Sequence, residues 1–158
     1  MIQRIQTLYL IGAITMLVLA SFTGELFNYV TDEAVFSFTG FGIEKSLAKD
    51  TVVETTSLPI LVAFLAVAAL AIVVMLSYMK INKQFALAKL LWGMYLLVLI
   101  GVVVWNYALA PSQITGKALS NNYGAAFYFL VIGLPFTHLA FMGIGKDKKT
   151  LDSLNRLR

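Results

Sequence analysis

Apolar residues in this chain fall into four long blocks, and nearly all the charges lie between or beyond them. Residues 5–22 hold no ionisable side chain except Tyr9, and residues 58–79, 90–110 and 123–144 contain no Asp, Glu, Lys or Arg. A helix needs roughly 20 such residues to cross a hydrocarbon core of about 30 Å. Each block is long enough, the first only just. The pattern predicts an all-α integral membrane protein: one domain over 1–158, folded as an antiparallel four-transmembrane-helix bundle. A secretory signal is the alternative for 1–22, but the run is long for one and Phe22-Thr23-Gly24 lacks the small-residue spacing of a cleavage site. An uncleaved helix is therefore expected. Ser57 before Leu58-Pro59 is a helix-start signal, and Pro111 closes the third block.

The connections differ in character. Residues 23–57 are too many for a simple turn. Phe27, Tyr29, Phe36, Phe38 and Phe41 recur mostly every second residue around Thr31-Asp32-Glu33. Period-two aromatics about a polar turn predict a small outer β-hairpin, or at least an ordered loop, between the first two helices. Residues 146–158 form a basic tail.

Charge fixes the expected orientation. With both termini inside, nine Lys and Arg are cytoplasmic and only Lys45, Lys49 and Lys117 are outside. This is the positive-inside bias. Six of the eight acidic residues lie in 23–57. Tyr9, Tyr78 and Trp92 mark the inner interface, and Trp105, Tyr107 and Tyr123 the outer. A net charge of +4 distributed this way serves membrane orientation, so no nucleic acid is expected. The composition, 59% apolar and 13% charged, lies far from the ~45–50% and ~25% of soluble domains. Without cysteine there is neither disulfide nor thiolate chemistry.

The two ends carry a family likeness. MIQRIQTLYL opening directly into a span, with a terminal DKKTLDSLNRLR, resembles a family of four-helix bacterial inner-membrane proteins designated a domain of unknown function (family 4293). The specific motifs are 1–10 and 147–158, while the middle spans agree by hydropathy alone. The resemblance implies four helices and a Gram-negative inner membrane. It implies no activity, substrate or catalytic residue.

Candidate chemistry is sparse. An ionisable group within the membrane is a functional hypothesis by default, and His138 is the one strongly titratable example. It lies six residues before the inner end of its span, roughly 9 Å deep. A haem would need a second His and a proton relay a buried carboxylate, and the spans hold neither. The expected role is an imidazole hydrogen-bonded to a neighbouring helix, with quinone or lipid contact as the second reading. Pro135 removes a helical hydrogen bond and predicts a kink. Ala126, Gly133 and Ala140 recur every seven residues, and Ala63, Ala66 and Ala69 line one side of the second span, as close helix packing or a docking face requires. No metalloprotease motif, phosphate loop or nucleophile triad is present, so no catalytic, cofactor or metal site is assigned.

The tail offers a last candidate. Asp147 can cap a separate helix whose Leu151, Leu154 and Leu157 form one apolar stripe, with Arg156 and Arg158 among its charges. These leucines and arginines, together with Arg4 at the other end, are the expected contacts for a partner or for anionic lipid headgroups at the cytoplasmic face. The functional expectation is a non-enzymatic accessory or scaffold subunit working with other inner-membrane proteins. The alternative is a small transporter, channel, or lipid- or quinone-handling protein built on Pro135 and His138.

Overall fold

Gln6, Leu10, Ala13, Leu17 and Ala20 are buried along the first helix at alternating steps of four and three. The same rhythm recurs in the second helix at Phe64, Val67, Ala71 and Val74, and in the third at Gln84, Ala88, Leu91 and Tyr95. In the fourth it runs through Ala126, Leu130, Gly133, Thr137, Ala140 and Ile144. This is the spacing of nearly parallel or antiparallel helices that interlock along a narrow seam. The computed structural model of the chain describes residues 2–32, 34–47, 51–57, 60–114 and 118–156. Its helices are α1 (Ile2–Phe22), α2 (Ile60–Leu76), α3 (Ile81–Val104) and α4 (Ala125–Arg156). Each packs against two others, α1 and α3 both lying between α2 and α4.

The outward faces are apolar as well. Leu8 (67% exposed), Val62 (64%) and Leu97 (63%) stand on the surface with many residues like them. A helix that is hydrophobic all round and yet uncovered has lipid as its solvent. Three helical stretches, Ile5–Phe22, Ile81–Ser112 and Ala125–Leu154, are long and apolar enough to cross a membrane. This is a membrane protein. The apolar helix α2 has 17 residues and falls short of that length. Because α1 and α3 both run toward the sheet end, α2 is the element that carries the chain back between them. Lipid is as apolar as Leu, so the helices gain little by hiding Leu from it. They gain by close packing, which small residues permit. The Ala126/Gly133/Ala140 stripe faces inward, whereas Ala66 and Ala69 are exposed on α2.

The connections correct the expected fold class. In place of an all-α bundle with one small hairpin there is a five-stranded antiparallel sheet of order β4-β3-β2-β1-β5. Its strands are β1 (Glu25–Thr31), β2 (Ala34–Thr39), β3 (Gly42–Leu47), β4 (Thr51–Ser57) and β5 (Ala118–Tyr123). The aromatic hairpin is its centre, with Phe27 opposite Phe38 and Tyr29 opposite Phe36. Thr31 Oγ1 donates to the Ala34 carbonyl at 2.7 Å and accepts from the Ala34 N–H at 3.1 Å, closing the first turn. Thr39 repeats the device with Gly42. β3 and β4 extend one side by hairpin pairing. The other side is completed by β5, a strand from the connection between α3 and α4 that pairs along β1.

Two backbone hydrogen bonds seat the sheet on the helix ends. The Leu61 N–H donates to Gly40 O and the Gly124 N–H to Leu26 O, each at 3.0 Å. Gly24, at φ 105°, makes the turn from α1 into β1 in a conformation that other residues avoid. The Leu58-Pro59 start expected for the second helix lies outside the described residues. Helices α3 and α4 both outrun their predicted blocks, α3 starting at Ile81 and α4 ending at Arg156. The charged tail is thus no separate helix. Asp147 sits inside α4, not at an N-cap, and Pro135 is contained in the same unbroken helix.

Candidate functional site

Two polar constellations break the apolar interior, one at each end. At the sheet end α3 passes into a π-helical turn, Trp105–Leu109, and then a 3-10 turn, Ala110–Gln113. Asn106, fully buried in that turn, meets the sheet. The Tyr29 hydroxyl donates towards both Asn106 O (2.6 Å) and Asn106 Oδ1 (2.8 Å). Asn121 Nδ2, from β5, lies 3.1 Å from both Tyr29 Oη and Asn106 Oδ1. Burial holds the Tyr29 pKa above its ordinary value, aided by Tyr123 and opposed by the Asn121 hydrogen bond, so the phenol stays a neutral donor. Phe27, Phe38 and Trp105 pack beside it, with Phe27 and Phe38 stacked at 4.5 Å and Trp105 edge-on to both. A π-turn adds one residue to a helical turn, a distortion common at functional positions. Here it accompanies the buried Asn106 contact with the sheet. This constellation locks sheet to helices.

The other end is open. Residues of α3 and α4 line a cleft of about 430 Å³. Phe85, Phe141 and Met142 supply its apolar wall; Lys146, Lys148 and Lys149 stand at its rim with Asp152. The wall continues as a ladder of rings. Phe85 stacks on Phe141 at 5.4 Å, Phe141 lies nearly parallel to Trp92 at 6.2 Å, and Trp92 is 5.8 Å from His138. Lys148 Nζ caps the ladder, 4.9 Å from the Phe85 ring centre, within the range of a cation–π contact. The periodicity behind it is simple. His138, Phe141, Gly145, Lys148 and Asp152 follow at steps of three and four along α4, and Phe85 and Trp92 lie seven apart on α3. A methyl on Gly145 would stand 3.2 Å from the Phe85 ring. The glycine keeps the cleft open.

Just behind the cleft α1 meets α4. Gln6 Nε2 donates to Asp147 Oδ2 at 2.7 Å, with Gln6 only 3% exposed. The opening and closing motifs that carry the family likeness are therefore joined by a direct hydrogen bond.

The residues expected to matter are distributed unevenly. His138 is exposed on the outer surface of α4 against Trp92, and does not face inward to a polar partner on another helix. Pro135, one turn earlier, is exposed too. Leu151 (45% exposed) and Leu154 (58%) stand uncovered on the last turns of α4. Leu157 and Arg158 lie outside the described residues. Arg4 and Arg156 belong to α1 and α4, and the structure describes no more of them than backbone. Sequence reasoning missed Phe85, Phe141, Gly145 and Lys148 as a set, along with Asn106 and the Gln6–Asp147 pair. The step pattern along α4 was the available signal for the cleft; nothing local signals Asn106.

No curated protein matches this chain. Residues 2–157 match the family model described as Domain of unknown function (DUF4293). That match takes in nearly the whole chain, sheet and helices together, and the chain is a member of this family.

Proposed function

We propose that this protein is a non-enzymatic accessory or scaffold subunit of a larger assembly in the bacterial inner membrane, with both termini cytoplasmic and the sheet on the opposite face. The observation that carries this reading is the length of α4. Its 32 residues extend about 48 Å at 1.5 Å per residue, against about 30 Å of hydrocarbon. Roughly 18 Å of rigid helix is left to project past the hydrocarbon core. That arm presents Leu151 and Leu154 uncovered among basic residues. Isolated helices this short are marginal in water; this one is held by continuity with a packed span and by the Gln6–Asp147 bond. An apolar stripe on a preformed helix is a recurrent recognition device.

Replacing Leu151, Leu154 and Leu157 together by Ser, with every Lys and Arg kept, is expected to strip co-purifying inner-membrane proteins in mild detergent while leaving expression and membrane insertion unchanged. Retention of the same proteins by the triple variant would refute the docking role. For orientation, alkaline phosphatase fused after residue 40 or 116 is expected to be active, and after residue 84 or 158 inactive. The reverse pattern inverts the assignment. A second reading, lipid or quinone handling near Pro135 and His138, draws support from the exposed His138–Trp92 contact on the ladder.

A further inference from the structure

We propose that the cleft between α3 and α4 is a binding site for one anionic phospholipid of the bilayer, its headgroup phosphate held by Lys146, Lys148 and Lys149 and its acyl chain lying along Phe85, Phe141 and Trp92. Three observations converge on this occupant. The first is depth. Residues 125–145 of α4 carry no charge, and Lys146 begins the charged segment, so the rim lies where the helix leaves hydrocarbon for headgroups. The second is charge. Three lysines and one aspartate, Asp152, are the charged residues lining the cleft, and lysines near an anionic surface attract it strongly. The third is shape. The ring ladder continues from the mouth into the span as an apolar track on the outer surface, ending at His138. That end is about 10 Å from Gly145 along the helix. Headgroup and chain thus find matching surfaces in the order in which a lipid presents them.

The geometry also supplies positioning. The Phe85 ring beneath Lys148 Nζ holds that ammonium over the cleft. Gly145 leaves room between the rings and the rim, since any side chain there must push against Phe85. The site does not depend on the accessory-subunit reading: protein docking would use Leu151 and Leu154, which are not among the residues that line the cleft.

Trp92, within the ladder, is a built-in reporter. The full-length chain bearing Trp105→Phe, so that Trp92 is its one tryptophan, is placed in nanodiscs of phosphatidylcholine containing brominated phosphatidylglycerol or brominated phosphatidylcholine. Bromine quenches tryptophan on contact. The anionic lipid is expected to quench Trp92 with an apparent preference of about fivefold or more, the factor that one lysine–headgroup contact of about 1 kcal/mol supplies. The triple variant Lys146→Gln/Lys148→Gln/Lys149→Gln is expected to bring that preference below roughly twofold, with quenching by phosphatidylcholine unchanged. Gly145→Leu keeps every charge and fills the cleft, and is expected to abolish the preference also. Each variant is checked by its elution profile, and Gly145→Ala, a smaller intrusion, replaces Gly145→Leu if the latter does not fold. Equal quenching by the two lipids would overturn the proposal, as would a preference that survives either set of changes. Loss of the preference in 10 mM inorganic phosphate, but not in chloride of equal ionic strength, would mark a site for free phosphate instead. No quenching by either lipid would overturn the proposal as well, since the groove would then be closed to acyl chains.

Discussion

Gly124→Ala is expected to cost about 3 kcal/mol or more, at the upper end of what an added methyl does in a packed interior. The methyl would overlap the Glu25 carbonyl oxygen and crowd its carbon at 2.7 Å. These are backbone atoms, so no rotamer change relieves the clash. Gly124 is also held in place, because its N–H donates to Leu26 O one residue further along the same strand. To admit the methyl, the start of β1 must move off the start of α4, and the β1–β5 pairing that ends at Phe27 and Tyr123 must move with it. A change of this size is a large fraction of the total stability of a domain. The measurement is thermal unfolding in detergent, followed by Trp105 fluorescence in a Trp92→Phe background. Trp105 is edge-on to Phe27 and Phe38, so it reports on the sheet that is displaced. An unfolding midpoint within a degree or two of the parent would show that the crossing is looser than described.

Gly133→Ala is expected to destabilise by about 1–3 kcal/mol, by a different route and with a different remedy. Here the methyl overlaps the hydroxyl of Tyr95, a fully buried residue whose Oη donates to Leu130 O at 3.0 Å. The obstacle is the tip of a side chain. Tyr95→Phe removes it and leaves the ring carbon Cζ 2.9 Å from the methyl, a contact that a small tilt resolves. Losing the Tyr95 hydrogen bond costs only about 0.6 kcal/mol, the average for such bonds inside membrane proteins. The double variant should therefore be more stable than Gly133→Ala alone, although both changes are individually unfavourable. Simple additivity of the two costs would show that the hydroxyl is not the obstacle. The same rescue has no counterpart at Gly124, and the two glycines together distinguish helix-to-helix from strand-to-helix contact.

The helices were legible because burial in lipid demands long apolar runs, and no other element produces them. The aromatic hairpin was legible through its period of two. The rest of the sheet was not. β5 is Ala-Leu-Ser-Asn-Asn-Tyr, which has no β-branched residue and no alternation; it becomes a strand because β1 offers an edge. Strand preference of that kind belongs to the partner more than to the sequence. β3 and β4 are short and mix Glu, Lys, Ser and Thr with their apolar residues. The cleft was hidden by a wrong boundary. Capping a new helix at Asp147 breaks the register at Lys146, so Phe141 and Lys148 no longer fall on one face. With α4 continuous, they do. Asp147 itself is spent on Gln6, a partner 141 residues away that no local pattern could announce.

The pairing of β5 with β1 also sets an order of events during synthesis. The strands β1 to β4 can pair as soon as residues 25–57 have emerged, since each meets its neighbour in sequence. The free side of β1 cannot be covered until residues 118–123 have been made, after α2 and α3. Until then the nascent chain carries an open strand edge, the kind of surface that recruits other chains, and Tyr29 waits for Asn106 and Asn121 in the same interval. Contacts so distant in sequence form late and slowly. For this protein, insertion of the third helix is thus the step that releases the sheet to close, and the ribosome must travel past Tyr123 before the first strand is sealed.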